Sequence, residues 1–190
     1  MLGPTRVLGI DPGSRVVGWG VVERRGSGLG HVAHGVLALD VSAPLELRLV
    51  ELFARLSETV LRHAPSAVAV EGVFTFRNAR SALVLGQARG VALLVAARAG
   101  LPVHEYAPAI VKRSVGVGGA GAKEAVARAV SAFLGLSGSP RRDATDALAI
   151  AVCHLHRMGS PFLPVRARRA AADLGTRLRP AVSRPAGSGT

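Results

Sequence analysis

The chain is 190 residues long and 49% apolar, enough to bury a real core in one domain. It carries 24 Lys and Arg against 12 Asp and Glu, a net charge of +12 that points to a polyanionic partner, nucleic acid ahead of an anionic membrane. A single cysteine, Cys153, excludes a disulfide framework and a cysteine-rich zinc site.

Residues 6–10 are a short β-rich run ending at Asp11. Residues 16–23, rich in Val, Trp and Gly, and residues 31–39 are two more. Asp11-Pro-Gly-Ser and Arg25-Gly-Ser-Gly supply turn chemistry between them, so the three runs predict an antiparallel meander. Over residues 44–63, Leu45, Leu49, Leu52, Phe53, Leu56 and Val60 follow a helical period. Residues 67–70 are wholly apolar, as suits a strand covered on both faces. Residues 81–99 predict a second long helix, with Gly86 and Gly90 as close-packing points. Gln87, Arg89 and Arg98 make that stretch a poor membrane span. Residues 103–106 are a fifth strand. Residues 107–113 and 123–134 are helical, on either side of a glycine-rich loop over 116–121. Ser139-Pro140 predicts a helix start, Ser as N-cap and Pro at the first helical position. That helix runs to about Met158 with Ala147, Ile150, Ala151 and Leu155 on one face. The order predicts an α/β domain over residues 1–160, a mixed five-stranded sheet with helices on both faces.

Residues 161–190 hold six Arg and one acid, Asp173, with four prolines. They read as a basic, largely disordered tail. No signal peptide reads in the opening MLGPTRVLGIDPGSR, so a cytoplasmic protein is expected. Of the 24 basic residues only Lys112 and Lys123 are lysines, which suggests that a compact ammonium is wanted there or that both are chance survivors.

Acids are scarce, so their placement is informative. Asp11 ends the first strand and Glu71 ends the fourth. Asp143 and Asp146 stand three apart on the last helix, one turn from each other on one face. Four carboxylates packed together repel unless cations bind, and two divalent ions would balance them. Oxygen-only ligands select Mg²⁺ or Mn²⁺ over zinc. Such a site prepares a water nucleophile with one ion and stabilises the leaving 3′ oxygen with the other. Each acid also has a plain reading: a turn residue for Asp11, a solvated rim for Glu71, a helix-dipole partner for Asp143. Spacing alone does not bring the four together.

Four blocks carry a resemblance: GIDPGSRVVGWGVV, AVAVEGVFTFRNARSALVLGQARGVALL, YAPAIVKRSVGVGGAGAKEAV and RRDATDALAIAVCH. In this order, over about residues 6–158, the chain resembles the RuvC Holliday-junction resolvases. The resemblance implies a ribonuclease H-like fold, a homodimer, and nicking of four-way DNA junctions with Mg²⁺ or Mn²⁺, two ions per active site. It implies work beside the RuvA and RuvB branch-migration proteins. The family's acidic tetrad falls on Asp11, Glu71, Asp143 and Asp146, and its site lysines on Lys112 and Lys123. Lys123 is the better candidate to stabilise phosphate charge. In the loop after Glu71, Phe74 matches the family's aromatic, which can stack on a base exposed at a branch point. Arg77, Asn78 and Arg80 are further DNA-contact candidates there. The chain departs from the commoner pattern at Gly72 and at Phe76-Arg77, which bears on cut-site preference. The helix over 81–99 is a candidate dimer surface, with burial inside the monomer as the competing account.

Three rivals stand beside this reading. Asp11-Pro-Gly-Ser14 also suits an actin-like ATPase, which needs a second lobe that 190 residues do not hold. A non-catalytic junction-binding protein leaves the four acids unexplained. A related ribonuclease H-like nuclease acting on RNA is separated only by the block from Glu71 to Gly90. His154 and His156, two apart on a helix, face different sides and make a poor metal pair, and Cys153 reads as a buried small hydrophobe.

Overall fold

The middle of the molecule is β1 (Arg6–Asp11), whose four inner residues are buried and whose two ends are half-exposed. In the computed structural model, which describes residues 5–72, 79–117, 123–138 and 140–158, this strand organises a five-stranded sheet. The others are β2 (Val16–Arg25), β3 (Gly28–Ala38), β4 (Ala67–Glu71) and β5 (Val103–Tyr106). Their order across the sheet is β3-β2-β1-β4-β5. β1, β2 and β3 pair antiparallel as the expected meander, while β4 lies parallel to β1 and β5 parallel to β4. The parallel pairs need crossovers, which α1 (Leu45–His63) and α2 (Ala79–Arg98) provide. The chain closes with α3 (Pro108–Ser114), α4 (Lys123–Leu134) and α5 (Arg142–Met158).

Side-chain alternation splits the core in two. Leu8, Ile10, Val17, Val21, Val68 and Val70 point to one face, where α1 brings Leu52, Leu56 and Val60 and α2 brings Ala88, Ala92, Val95 and Ala96. Val7, Val22 and Ala69 point to the other, against α5 and the apolar sides of α3 and α4. Helices thus cover both faces, as the order of elements predicts. α1 shows why its sequence makes a helix that stops where it does. Glu46 sits in its first turn and Arg62 and His63 in its last, both favourable to the helix dipole. Ala64 then turns left-handed and its N–H reaches the Val60 carbonyl at 2.9 Å.

Four expectations are corrected. β3 starts at Gly28 rather than at residue 31, because Gly26, with φ of 57°, allows a two-residue turn and pairing resumes at once. The last helix starts at Arg142, beyond Pro140. The Thr145 N–H donates to the Arg141 carbonyl at 3.0 Å and its hydroxyl reaches back to the Pro140 and Arg141 carbonyls, so that local bonding sets the first turn. Ser139 lies outside the described residues. α5 is also not one-faced: Ala144 and Thr145, and every residue from Ala147 to Leu155, are buried, since the sheet covers one side and α3 and α4 the other. On α2, Gly86 and Gly90 are not packing points inside the monomer. Both are exposed, and a Cβ added at either would meet nothing within 4 Å among the described residues, while Leu83 and Leu94 are 64% and 51% exposed.

Candidate active site

β1 and β4 run parallel, with Ile10 opposite Val70, so their C-terminal ends reach the same edge of the sheet and the next residue of each is an acid, Asp11 and Glu71. Ligand sites form outside the carboxyl ends of strands in such sheets. α5 supplies the other two acids, and glycines decide how close it comes. A Cβ on Gly9 would lie 2.0 Å from the Ala147 carbonyl oxygen, and one on Gly18 would lie 1.9 Å from that of Asp143. On Gly20 it would meet the Leu148 side chain at 2.6 Å. With hydrogen at all three positions the helix backbone rests directly on β1 and β2. Gly18 is itself the strand partner of Asp11, so this contact carries the start of α5 to the acid-bearing strand end.

The electrostatics couple Asp11 to the three other acids. Burial, and then Glu71, Asp146 and Asp143 in turn, push the Asp11 carboxyl up to about 8, with Arg142 opposing. Burial and then Asp146 raise Glu71, and Lys112 opposes. Burial raises Asp146 too, opposed first by Arg142. A cavity of about 230 Å³ opens beside them, with Glu71, Lys112, Arg142 and Asp146 as its charged walls and Val111 and Val126 among its apolar ones. Asp11 and Asp143 do not line that cavity.

Among the described residues no three acids, histidines or cysteines gather tightly enough to cage a single ion. The donor set still fits hard divalent cations. It is all carboxylate oxygen, partly dehydrated and mutually repelling, and Mg²⁺ characteristically takes one or two carboxylates and completes its shell with water and phosphate oxygens.

Lys112 lies on α3 and lines the cavity. Lys123 is the first residue of α4, and its side chain lies outside the described residues, as does that of Arg80. Phe74, Arg77 and Asn78 are outside them altogether. Arg142 and the three glycines escape the motif reading. Their signals are a cation directly before Asp143 and four before Asp146, and glycine at alternate positions of β2. Cys153 is fully buried, as expected. His154 and His156 do part company. His156 Nδ1 lies 3.0 Å from the Ser114 carbonyl, while the Tyr106 hydroxyl and His154 Nδ1 share a hydrogen bond of 2.7 Å. Burial pushes Tyr106 up to about 12, and burial with the neighbouring His104 pushes His154 down to about 4, so both are neutral and the pair ties β5 to α5.

A protein family described as crossover junction endodeoxyribonuclease RuvC matches residues 7–154. The crossover junction endodeoxyribonuclease RuvC of Myxococcus xanthus (strain DK1622) is 57% identical over 188 residues, covering 95% of this chain and 98% of that protein. That of Sorangium cellulosum (strain So ce56) is 49% identical over 178 residues, covering 90% and 99%. The solved structure of T. thermophilus RuvC in complex with Holliday junction substrate is 37% identical, covers 82% of this chain and 97% of its own, and has a TM-score of 0.75. The yeast mitochondrial Holliday junction resolvase, 15% identical with a TM-score of 0.58, shares the fold. These likenesses bear out the ribonuclease H-like reading of the mixed sheet.

Proposed function

The chain belongs to the RuvC family of crossover junction endodeoxyribonucleases, divalent-metal-dependent hydrolases acting on DNA, and we propose that it resolves four-way junctions as a homodimer, by paired symmetric nicks in two strands of like polarity. The observation that carries this reading is the convergence of β1, β4 and α5 on one sheet edge, with Asp11 raised by all three of the other acids. Two Mg²⁺ or Mn²⁺ ions would be held there by Asp11, Glu71, Asp143 and Asp146, and when bound they supply Lewis-acid charge for the attacking water and the leaving 3′ oxygen. In-line attack then leaves a 5′ phosphate and a 3′ hydroxyl.

The chain's own residues prepare this step. Rigid strand ends hold Asp11 and Glu71, and one helical turn holds Asp143 and Asp146, so little reorganisation is needed on binding DNA. Lys112 offsets the acids from the cavity wall. Lys123 stabilises charge on the phosphate, while Phe74 stacks on a base at the branch point and Arg77, Asn78 and Arg80 bind backbone phosphates beside it. Two related cuts call for two equivalent sites, which two-fold symmetry supplies. The exposed small-residue stripe of α2 supports that helix as the dimer surface. Residues 161–190 act as a basic tail outside the nuclease domain of residues 1–160, and the protein works in the cytoplasm beside RuvA and RuvB. No described helix is long and apolar enough to cross a membrane.

The test is an end-labelled synthetic four-way junction, with matched duplex and single strand, incubated with Mg²⁺ or Mn²⁺ and resolved on a denaturing gel. Symmetric nicks near the crossover, with controls intact, are expected. Cutting of single strands or RNA hybrids instead would overturn the substrate assignment, and binding without cutting would overturn the catalytic one.

A further inference from the structure

Arg142 is placed against the interest of its own helix. It is the first residue of α5, where the helix dipole presents partial positive charge and disfavours a cation. Its compensation is slight. The Nε lies 3.9 Å from Asp146 Oδ2, and both side chains are well exposed, at 62% and 42%. An exposed pair at that separation contributes almost nothing to stability. No other ion pair or hydrogen bond engages the Arg142 guanidinium among the described residues. Yet the side chain forms one charged wall of the cavity, with Glu71, Asp146 and Lys112.

We infer that Arg142 is a phosphate-contacting residue of this active site, a cation that grips the backbone of the strand to be cut beside Asp146. The inference rests on the junction-nicking reading above. A DNA strand that brings a phosphate to Glu71 and Asp146 must first approach a strongly acidic surface. A guanidinium on the same wall lowers that repulsion before any ion arrives, as it already does for Asp11 and Asp146. The loose bond to Asp146 leaves most of its donor fork free. That fork matches two phosphate oxygens at once, which an ammonium does not. Lys112 faces the cavity from α3, so the two cations lie on separate elements around the acids and bracket the path of the strand.

The experiment compares the full-length protein with Arg142→Ala and Arg142→Lys. Junction binding is followed by fluorescence anisotropy in EDTA across a salt series, and single-turnover nicking is followed with Mg²⁺. Thermal melts check folding, which an exposed side chain should hardly affect. Arg142→Ala is expected to weaken metal-free binding about tenfold near 0.1 M salt. Its log K against log salt slope should be shallower by about 0.9 per active site. Arg142→Lys should recover the slope but only part of the nicking rate. Unchanged affinity and slope in Arg142→Ala, with the wild type binding and cutting junctions, would overturn the role of Arg142 alone. Unchanged binding with a lower metal requirement would also overturn it, by showing that Arg142 serves only as a partner for Asp146. A wild type that neither binds nor cuts junctions would overturn the junction reading itself.

Discussion

Asp11→Asn should make the metal-free protein more stable while destroying its nicking activity. Folding raises the Asp11 pKa from 3.8 to about 8 through burial and three neighbouring carboxylates. Between those two values the native protein binds more protons than the unfolded chain. Stability is therefore greatest below pH 4 on this account, and is lost as pH rises toward 8. Each unit is about 1.4 kcal/mol, so near pH 7.5 the site withholds at most about 5 kcal/mol. Relaxation and water entry bring the expected gain from the amide to about 2 kcal/mol, or about 5 °C in melting temperature for a domain of this size. The assay is a thermal melt of wild type and variant in EDTA at about pH 4.5 and about pH 7.5. The gap should be wide at the higher pH and narrow at the lower. Mg²⁺ or Mn²⁺ should close it by stabilising the wild type, which alone keeps the full set of acids. Junction binding by the variant should persist. A folded variant that melts at or below the wild type near pH 7.5 in EDTA would refute the argument that the four acids crowd one another.

The remaining predictions probe the scaffold. Gly18→Ala forces a methyl group against the Asp143 carbonyl, where backbone cannot yield cheaply. It should cost about 1–3 kcal/mol in urea unfolding and reduce nicking further than that loss implies, and a wild-type rate would show that α5 need not sit so close. Tyr106→Phe leaves His154 Nδ1 without its hydrogen-bond partner while Nε2 already has no partner among the described residues. A loss of about 1–3 kcal/mol is expected, and an unchanged urea midpoint would count against the β5–α5 tie. Glu23 is held low by hydrogen bonds from Arg6 and Arg25. Its contribution is present above the ordinary glutamate range and is lost as pH falls through its lowered value, so Glu23→Gln should flatten the acid limb of a pH–stability curve.

What was legible in the sequence was local. Alternation and turn residues place β1 and β2, a 3.6-residue period places α1, and an apolar run ending in an acid places β4 with Glu71 at its tip. The family resemblance, spread over four ordered blocks, points to the acids and to Lys112 without any geometry. Signals of this kind need only neighbours within a turn or a strand, and the chain carries them residue by residue. The meeting of the acids is a different matter. Asp11 and Asp143 are far apart in the chain, and their approach depends on glycines of β1 and β2 receiving the backbone of α5. The same packing buries α5 all round, puts Arg142 at the cavity wall and joins Tyr106 to His154. None of these follows from periodicity, because each is set by which side chain is missing or present on another element. Local chemistry determined the parts and their ends, and only the close-packed tertiary structure decided which ends became neighbours.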